Sequence, residues 1–244
     1  MSDPLALLIL LLGGHVLGDF LFQTRAMAEA KRGHGLVILA SHLAVALPML
    51  SLPVAGVVVG IAVLHAGIDA VSHPRKRRRD ALTPFVVDQL AHGVVILLGW
   101  GILAATGAVP EVRWLPEEGV SLYLTSVVVL SAFAFSATGG AVLVDGVLTR
   151  VPDGAGEPDD EAGHEGAGRL IGILERTLVL LMALYGQWGA IALLVAAKSI
   201  ARFEQIKVRR FAEYYLIGTL ASLLVALLIG LLLTEALLPM VGGR

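Results

Sequence analysis

Cysteine is absent from the 244-residue chain, and charged residues make up only 16% of it. The absence of cysteine excludes a disulfide framework and every metal site built on thiolates. A soluble domain of this length would carry about a quarter charged residues. Hydrophobic residues reach 57% and fall into long apolar runs from end to end. The composition therefore predicts an α-helical membrane protein that forms one domain over residues 1–244.

A basic segment is also missing ahead of the first apolar run, which follows Met-Ser-Asp. A signal peptide would carry positive charges there, so we interpret this run as a retained first span. Eight apolar runs predict eight spans, at residues 4–22, 36–52, 53–72, 84–106, 120–148, 169–185, 188–203 and 211–238. Their polar residues divide the chain into a His/Asp half (1–106) and a Glu/Arg/Lys half (120–238).

Lysine and arginine predict the orientation of these spans. If the N-terminus lies outside and eight spans alternate in direction, nearly all basic loop residues lie inside, including the dense cluster at residues 75–79. Only Arg113 and Arg244 then lie outside. The loop at residues 149–168 is rich in Gly, Asp and Glu, which predicts a flexible cytoplasmic segment. The predicted fold is thus an all-α polytopic bundle of about eight spans with both termini outside.

Histidine and aspartate recur at a spacing of four, which places them on one face of a helix. The sets are His15 with Asp19, His65 with Asp69 and His73, and Asp88 with His92. Spans one and three run inwards and have His before Asp in the sequence. Span four runs outwards and has Asp before His. Each Asp therefore lies nearer the cytoplasm, with its His one turn, about 6 Å, deeper. Such residues are costly in apolar helices, so their matched depth indicates a functional site in the cytoplasmic leaflet.

Mixed imidazole and carboxylate ligands suit zinc, with iron or manganese as alternatives. The predicted ligands of one or two ions are His15, Asp19, His65, Asp69, His73, Asp88 and His92. His42 in span two is a further candidate at similar depth, whereas His34 is predicted to be a solvated loop residue. Asp19 or Asp88 would act as general base. The competing interpretation is that these side chains only hydrogen-bond to each other between helices.

A second polar set lies in the cytoplasmic leaflet of spans six to eight. Its members are Glu175, Arg176, Lys198, Arg202 and Glu213. One interpretation is a set of interhelical ion pairs, Glu175 with Lys198 or Arg176 with Glu213. The other is a cationic rim that binds an anionic head group or a phosphate of the substrate. Membrane lipids are therefore expected partners, and nucleic acid is not, because the basic cluster is short and lies next to a span.

Several motifs resemble an uncharacterised family of bacterial multi-pass membrane proteins, known only as a domain of unknown function. The opening motif is HxxGDFxxQ, formed by His15, Gly18, Asp19, Phe20 and Gln23. The tail motifs are GRLIGILER at 168–176, with the pattern GxxIGxxER, AAKSIARF at 196–203 and EYYLIGTLAS at 213–222. The resemblance implies a bacterial inner-membrane location and no particular activity. The HxxxD pairs are also similar to the zinc sites of cation-diffusion exporters, but the eight predicted spans without a predicted soluble C-terminal domain argue against membership of that family.

The sequence favours a membrane-embedded metal-dependent hydrolase that acts at the cytoplasmic leaflet on a lipid-like or phosphate-bearing substrate. The alternatives are a transporter of divalent metal or protons and a non-catalytic membrane scaffold. Transporter sites usually lie near the midplane, between repeats and at broken helices. The crowding of polar groups into one leaflet therefore favours chemistry over transport.

Overall fold

The computed structural model describes residues 3–23, 34–72, 82–112, 115–151 and 165–242. Within these ranges the chain is helical apart from short connections and contains no β-strand, which confirms the all-α prediction. His73, the basic cluster at residues 75–79 and residues 152–164 of the acidic loop lie outside the described residues.

Eleven α-helices lie in the described part of the chain. They are α1 (Pro4–Leu17), α2 (His34–Val45), α3 (Leu52–Ser72), α4 (Leu82–Ala105), α5 (Glu117–Ala134), α6 (Gly140–Leu148), α7 (Glu165–Leu184), α8 (Trp188–Ala201), α9 (Phe203–Ile206), α10 (Arg209–Leu232) and α11 (Leu238–Gly242). A 3₁₀ turn, Leu47–Met49, follows α2. Three π-helical segments follow α1, α5 and α10, at Gly18–Phe22, Phe135–Gly139 and Leu233–Leu237.

Local sequence signals account for several helix ends. Asp3 caps α1, because its carboxylate accepts a hydrogen bond from the Ala6 amide at 3.0 Å, and Pro4 occupies the first helical position. The connection between α7 and α8 turns at Gly186, whose φ of +64° suits glycine. That turn lies where the sequence places the junction of runs six and seven.

Five helical stretches among the described residues are long and apolar enough to cross a membrane, which indicates a membrane protein. They are Pro4–Phe22, Leu52–Val71, Leu82–Ala105, Glu118–Leu148 and Arg209–Val241. The predicted count of eight spans is not confirmed. Runs two and seven form helices of 12 and 14 residues, or about 18 and 21 Å, against a hydrocarbon core of about 30 Å. Run six forms a 20-residue helix that carries several charges along its length.

The chain divides into two compact units. Unit 1 comprises Met1–Arg77, Thr83–Phe135 and Glu235–Arg244, and unit 2 comprises Arg78–Leu82 and Ser136–Thr234. The single domain and the two four-span halves expected from the sequence stay predictions.

In unit 1, α1 is the central helix. It packs against α2 and α5, and its buried residues include Leu7, Leu10 and Leu11. The α1–α2 contact is close because Gly14 faces the backbone of His42. On the far side of α2 lies α3, which also meets α4 where Gly99 faces Val57. These contacts bring the helices that carry His and Asp together.

In unit 2, α10 packs along α7 and α6, and α8 packs against α7. Val179, Ile191 and Ala226 form a buried apolar cluster between α7, α8 and α10. This cluster supports the helices that carry the charged residues of the second half.

Candidate metal centre

Four helix ends meet at one end of unit 1. Asp19 lies in the π-helical segment after α1, and His34 is the first residue of α2. Asp69 lies in the last turn of α3, and Asp88 lies in the second turn of α4. A π-helical segment alters the direction of the side chains within it and often marks a functional site. The fold therefore brings these polar groups together.

Four donor atoms from these helices form a compact group, here called the quartet: Asp19 Oδ1, His34 Nε2, His65 Nε2 and Asp69 Oδ2. The two imidazole nitrogens are 3.1 Å apart. Asp19 Oδ1 lies 3.4 Å from the His34 nitrogen and 3.2 Å from the His65 nitrogen. Asp69 Oδ2 lies 3.1 and 3.5 Å from the same two nitrogens. Neighbouring ligands at 2.0–2.2 Å from a tetrahedral ion are about 3.3–3.6 Å apart, so the two imidazoles with either carboxylate have the spacing of metal ligands.

Two glutamine side chains support the quartet. The Gln89 amide donates to Asp19 Oδ2 at 3.3 Å, and its oxygen lies 3.3 Å from His15 Nε2, which donates to it. The Gln23 amide nitrogen lies 3.1 Å from His34 Nδ1. Metal binding through His34 Nε2 requires the proton on Nδ1, so Gln23 would then present its amide oxygen instead.

Further His and Asp side chains adjoin the quartet. The rings of His65 and His92 stack with centroids 3.7 Å apart and planes inclined by 7°, and His15 meets both rings edge-on. Donor atoms of Asp69, Asp88 and His92 all lie within 4.8 Å of one another, as do those of His15, Asp19, His65 and His92. The geometry therefore offers more than one position for an ion.

The centre is enclosed. His65, His92, Asp88 and His15 are 1–4% exposed, and the Asp69 side chain, at 24%, is the most open member of the quartet. Within the described part of the chain, both ring nitrogens of His92 and Nδ1 of His15 are buried without a hydrogen-bond partner. Each such atom costs about 1–3 kcal/mol. A bound cation would give these atoms a partner.

The structure brings together six of the predicted ligands: His15, Asp19, His65, Asp69, Asp88 and His92. His73 lies outside the described residues. His42 is fully buried, but its Nδ1 donates to the Ile38 carbonyl at 2.9 Å and its ring lies 6.5 Å from that of His15. It joins none of the donor groups formed by the described residues.

The prediction that His34 is a solvated loop residue is wrong. His34 is 8% exposed and contributes a quartet atom. No sequence signal marked this role, because His34 precedes run two and is followed by glycine. Gln23 belongs to the opening motif and Gln89 follows Asp88, but nothing in the sequence indicates which side chain either glutamine contacts.

The charged residues of the second half do not converge on one site. Lys198 contacts Glu175, as one predicted pair required. Arg176 donates instead to the carbonyls of Ser136 and Ala137, at 2.7 and 2.8 Å. The others bind within their own segments, Arg202 to Gln205 and Glu213 to Arg209. A cavity of about 20 Å³ beside the Lys198–Glu175 pair is also lined by Thr219 and Ser222, room for about one water molecule.

Comparison with known proteins gives a match in the part of the chain that holds the centre. Residues 7–112 match the model of a family described as "Protein of unknown function (DUF3307)". The match includes every donor residue from His15 to His92, whereas the tail motifs at 168–222 lie outside it. No curated protein and no solved structure gives a match. Residues 7–112 are thus similar to an uncharacterised domain.

Proposed function

We propose that the protein is a membrane-embedded metal-dependent hydrolase that acts at the cytoplasmic leaflet on a lipid-like or phosphate-bearing substrate. The observation that carries the proposal is the quartet, in which two imidazole nitrogens lie 3.1 Å apart and each of two carboxylate oxygens lies 3.1–3.5 Å from both, which is the spacing of neighbouring metal ligands. Two imidazoles and two carboxylates favour zinc, with iron or manganese as alternatives.

The side chains of the centre would have different roles in the proposed hydrolysis. The quartet would hold a divalent ion, which would supply a nucleophilic water at neutral pH and polarise a substrate oxygen. Asp19 Oδ2, which accepts a hydrogen bond from Gln89, and Asp88 are the carboxylates available as general base. Asp69, the most exposed quartet member, would lie on the side from which substrate enters.

The surroundings of the centre support a lipid-like substrate. Val63 and Leu64 on α3 and Leu90 and Val94 on α4 are more than half exposed. These apolar side chains lie on the helices that carry His65, Asp69 and His92, so substrate could approach from the lipid. Membrane lipids, including anionic ones, are therefore the proposed partners.

Removing quartet ligands is expected to remove bound metal. His65→Ala and Asp69→Asn should each lower metal affinity at least about tenfold, the scale seen even for groups that only support ligands. The measurement is elemental analysis of detergent-purified protein after chelation and reloading with zinc. His42→Gln changes a buried histidine outside the donor groups and should keep the wild-type stoichiometry. Unchanged metal content in both ligand variants would overturn the metal centre, and metal-free wild type would favour the scaffold alternative.

The hydrolytic step is tested with the zinc-loaded protein in vesicles of phosphatidylglycerol and phosphatidylethanolamine. Lipid hydrolysis should occur, stop on chelation and return with zinc. Hydrolysis by the His65→Ala variant at the wild-type rate would contradict the proposal.

Transport of divalent metal or protons is the second candidate, because the donor set is enclosed as in an occluded site. Zinc or proton flux into sealed proteoliposomes without lipid hydrolysis would favour it. Hydrolysis without flux would exclude transport as the main activity.

We also propose that both termini lie outside a bacterial inner membrane and that the basic cluster at residues 75–79 lies inside. The Lys/Arg asymmetry supports this orientation. Reporter fusions after Arg79 and after Arg244 should therefore report opposite sides. The same side for both would refute the topology and with it the cytoplasmic position of the centre.

A further inference from the structure

We infer that unit 1 binds two divalent cations, one in the quartet and a second held by Asp69, Asp88 and His92, with Asp69 bridging the two. This inference rests on the proposed metal centre and goes beyond it by adding a second position. Of the side chains that would hold the second ion, Asp69 on α3 also belongs to the quartet, whereas Asp88 and His92 on α4 do not.

The second position has its own donor set. Ligand atoms of Asp69, Asp88 and His92 lie within 4.8 Å of one another, as one ion requires. Asp88 and His92 are 3% and 2% exposed. Among the described residues, neither ring nitrogen of His92 has a hydrogen-bond partner. A buried imidazole with both nitrogens unpaired is costly, and a cation bound at one of them would lower that cost.

The stacking of His65 and His92 requires two ions if both residues are ligands. An imidazole binds a metal through a lone pair that lies in the plane of the ring. The planes of these rings are nearly parallel, at 7°, with centroids 3.7 Å apart. One ion cannot lie in two parallel planes, so the ion of His92 must differ from that of His65.

The same geometry is compatible with two closely spaced ions. Each ion lies in or near its own ring plane, and the planes are separated by no more than the 3.7 Å between centroids. A carboxylate that gives one oxygen to each ion is suited to a separation of about 3.5–4 Å, as in two-metal phosphatases and nucleases. Asp69 belongs to both donor sets. Because such pairs of ions are typical of phosphatases and nucleases, a second ion would favour the phosphate-bearing class of the proposed substrate.

Two ions also settle the choice of base. Asp88 becomes a ligand of the second ion. The second oxygen of Asp19, held by Gln89 at 3.3 Å, is then the carboxylate oxygen left for proton transfer.

The test uses the full-length protein in detergent, stripped with chelator and reloaded with manganese. Elemental analysis should give two Mn²⁺ per chain, and electron paramagnetic resonance should show the multiline spectrum of an exchange-coupled pair. Asp88→Asn and His92→Gln should each reduce the content to one Mn²⁺ with an uncoupled six-line signal. His42→Gln should retain both ions and their coupling.

The outcomes separate this inference from the proposed function. One uncoupled Mn²⁺ per wild-type chain would overturn the second position and leave the quartet in place, whereas no bound Mn²⁺ would overturn both. Loss of both ions from Asp88→Asn and His92→Gln variants that melt like wild type would overturn the assignment of a separate second position.

Discussion

Replacing Gly14 by valine is expected to separate α1 from α2 and to abolish metal binding. A Cβ at Gly14 would lie 2.8 Å from the Cα of His42, and backbone cannot move aside as a flexible side chain can. Overpacking of a well-packed contact typically costs about 1–3 kcal/mol and occasionally more, and valine adds three carbons. Because Asp19 follows α1 and His34 begins α2, any widening of this contact separates two quartet atoms. Thermal unfolding and zinc content of the purified variant measure the two effects.

Gly101→Val is the matched control for this substitution. Gly101 also lies inside an apolar helix, α4, but a Cβ there would meet no atom within 4 Å. Its unfolding free energy should stay within about 0.5 kcal/mol of wild type, with full zinc content. A Gly14→Val protein that unfolds like Gly101→Val would show that the α1–α2 contact is not as close as described.

Replacing Arg176 by methionine is expected to lower the unfolding free energy by about 3 kcal/mol. Arg176 is 3% exposed and donates to two carbonyls of the π-helical segment Phe135–Gly139. Such a segment interrupts the regular backbone hydrogen bonding of the helix. A carbonyl left without a donor in buried surroundings costs about 1–3 kcal/mol. Methionine keeps the bulk of the arginine stem, so the loss reports mainly on the two hydrogen bonds.

Arg209→Met provides the comparison, because the Arg209 side chain is 90% exposed and pairs with Glu213 on the surface. Exposed pairs contribute about 0–1 kcal/mol, so this variant should unfold nearly as the wild type does. The same experiment tests the cationic rim predicted from the sequence. An Arg176→Met protein of unchanged stability but weakened binding to anionic-lipid vesicles would favour the rim over the structural role.

The part of the centre that depends only on the spacing of residues along one helix was predictable from the sequence. The four-residue interval of His15 and Asp19 places them on one face of a helix, and the reversed order of Asp88 and His92 matches the reversed direction of α4. Both inferences need only helix geometry and chain direction, and the structure brings all four residues together. The all-helical fold likewise followed from the length of the apolar runs.

Features that depend on contacts between distant segments were not predictable. His34 joins the quartet because α2 begins at that residue and packs against α1, and neither fact is visible in a histidine followed by glycine. The partners of Arg176 are carbonyls of a π-helical segment that no sequence signal marked. The sequence predicts a span for run two, whereas α2 ends at Val45 and a 3₁₀ turn containing Pro48 follows it.

The order in which a ribosome makes the chain does not match the order in which unit 1 can be completed. All donor residues lie between His15 and His92, but unit 1 also contains α11, which follows the whole of unit 2 in sequence. There α11 packs on α5, and Ser121 Oγ donates to the Val241 carbonyl at 2.9 Å. The donor helices therefore remain in an unfinished unit throughout synthesis of residues 136–234. A chain truncated before residue 235 would carry every proposed metal ligand and lack the helix that packs on α5.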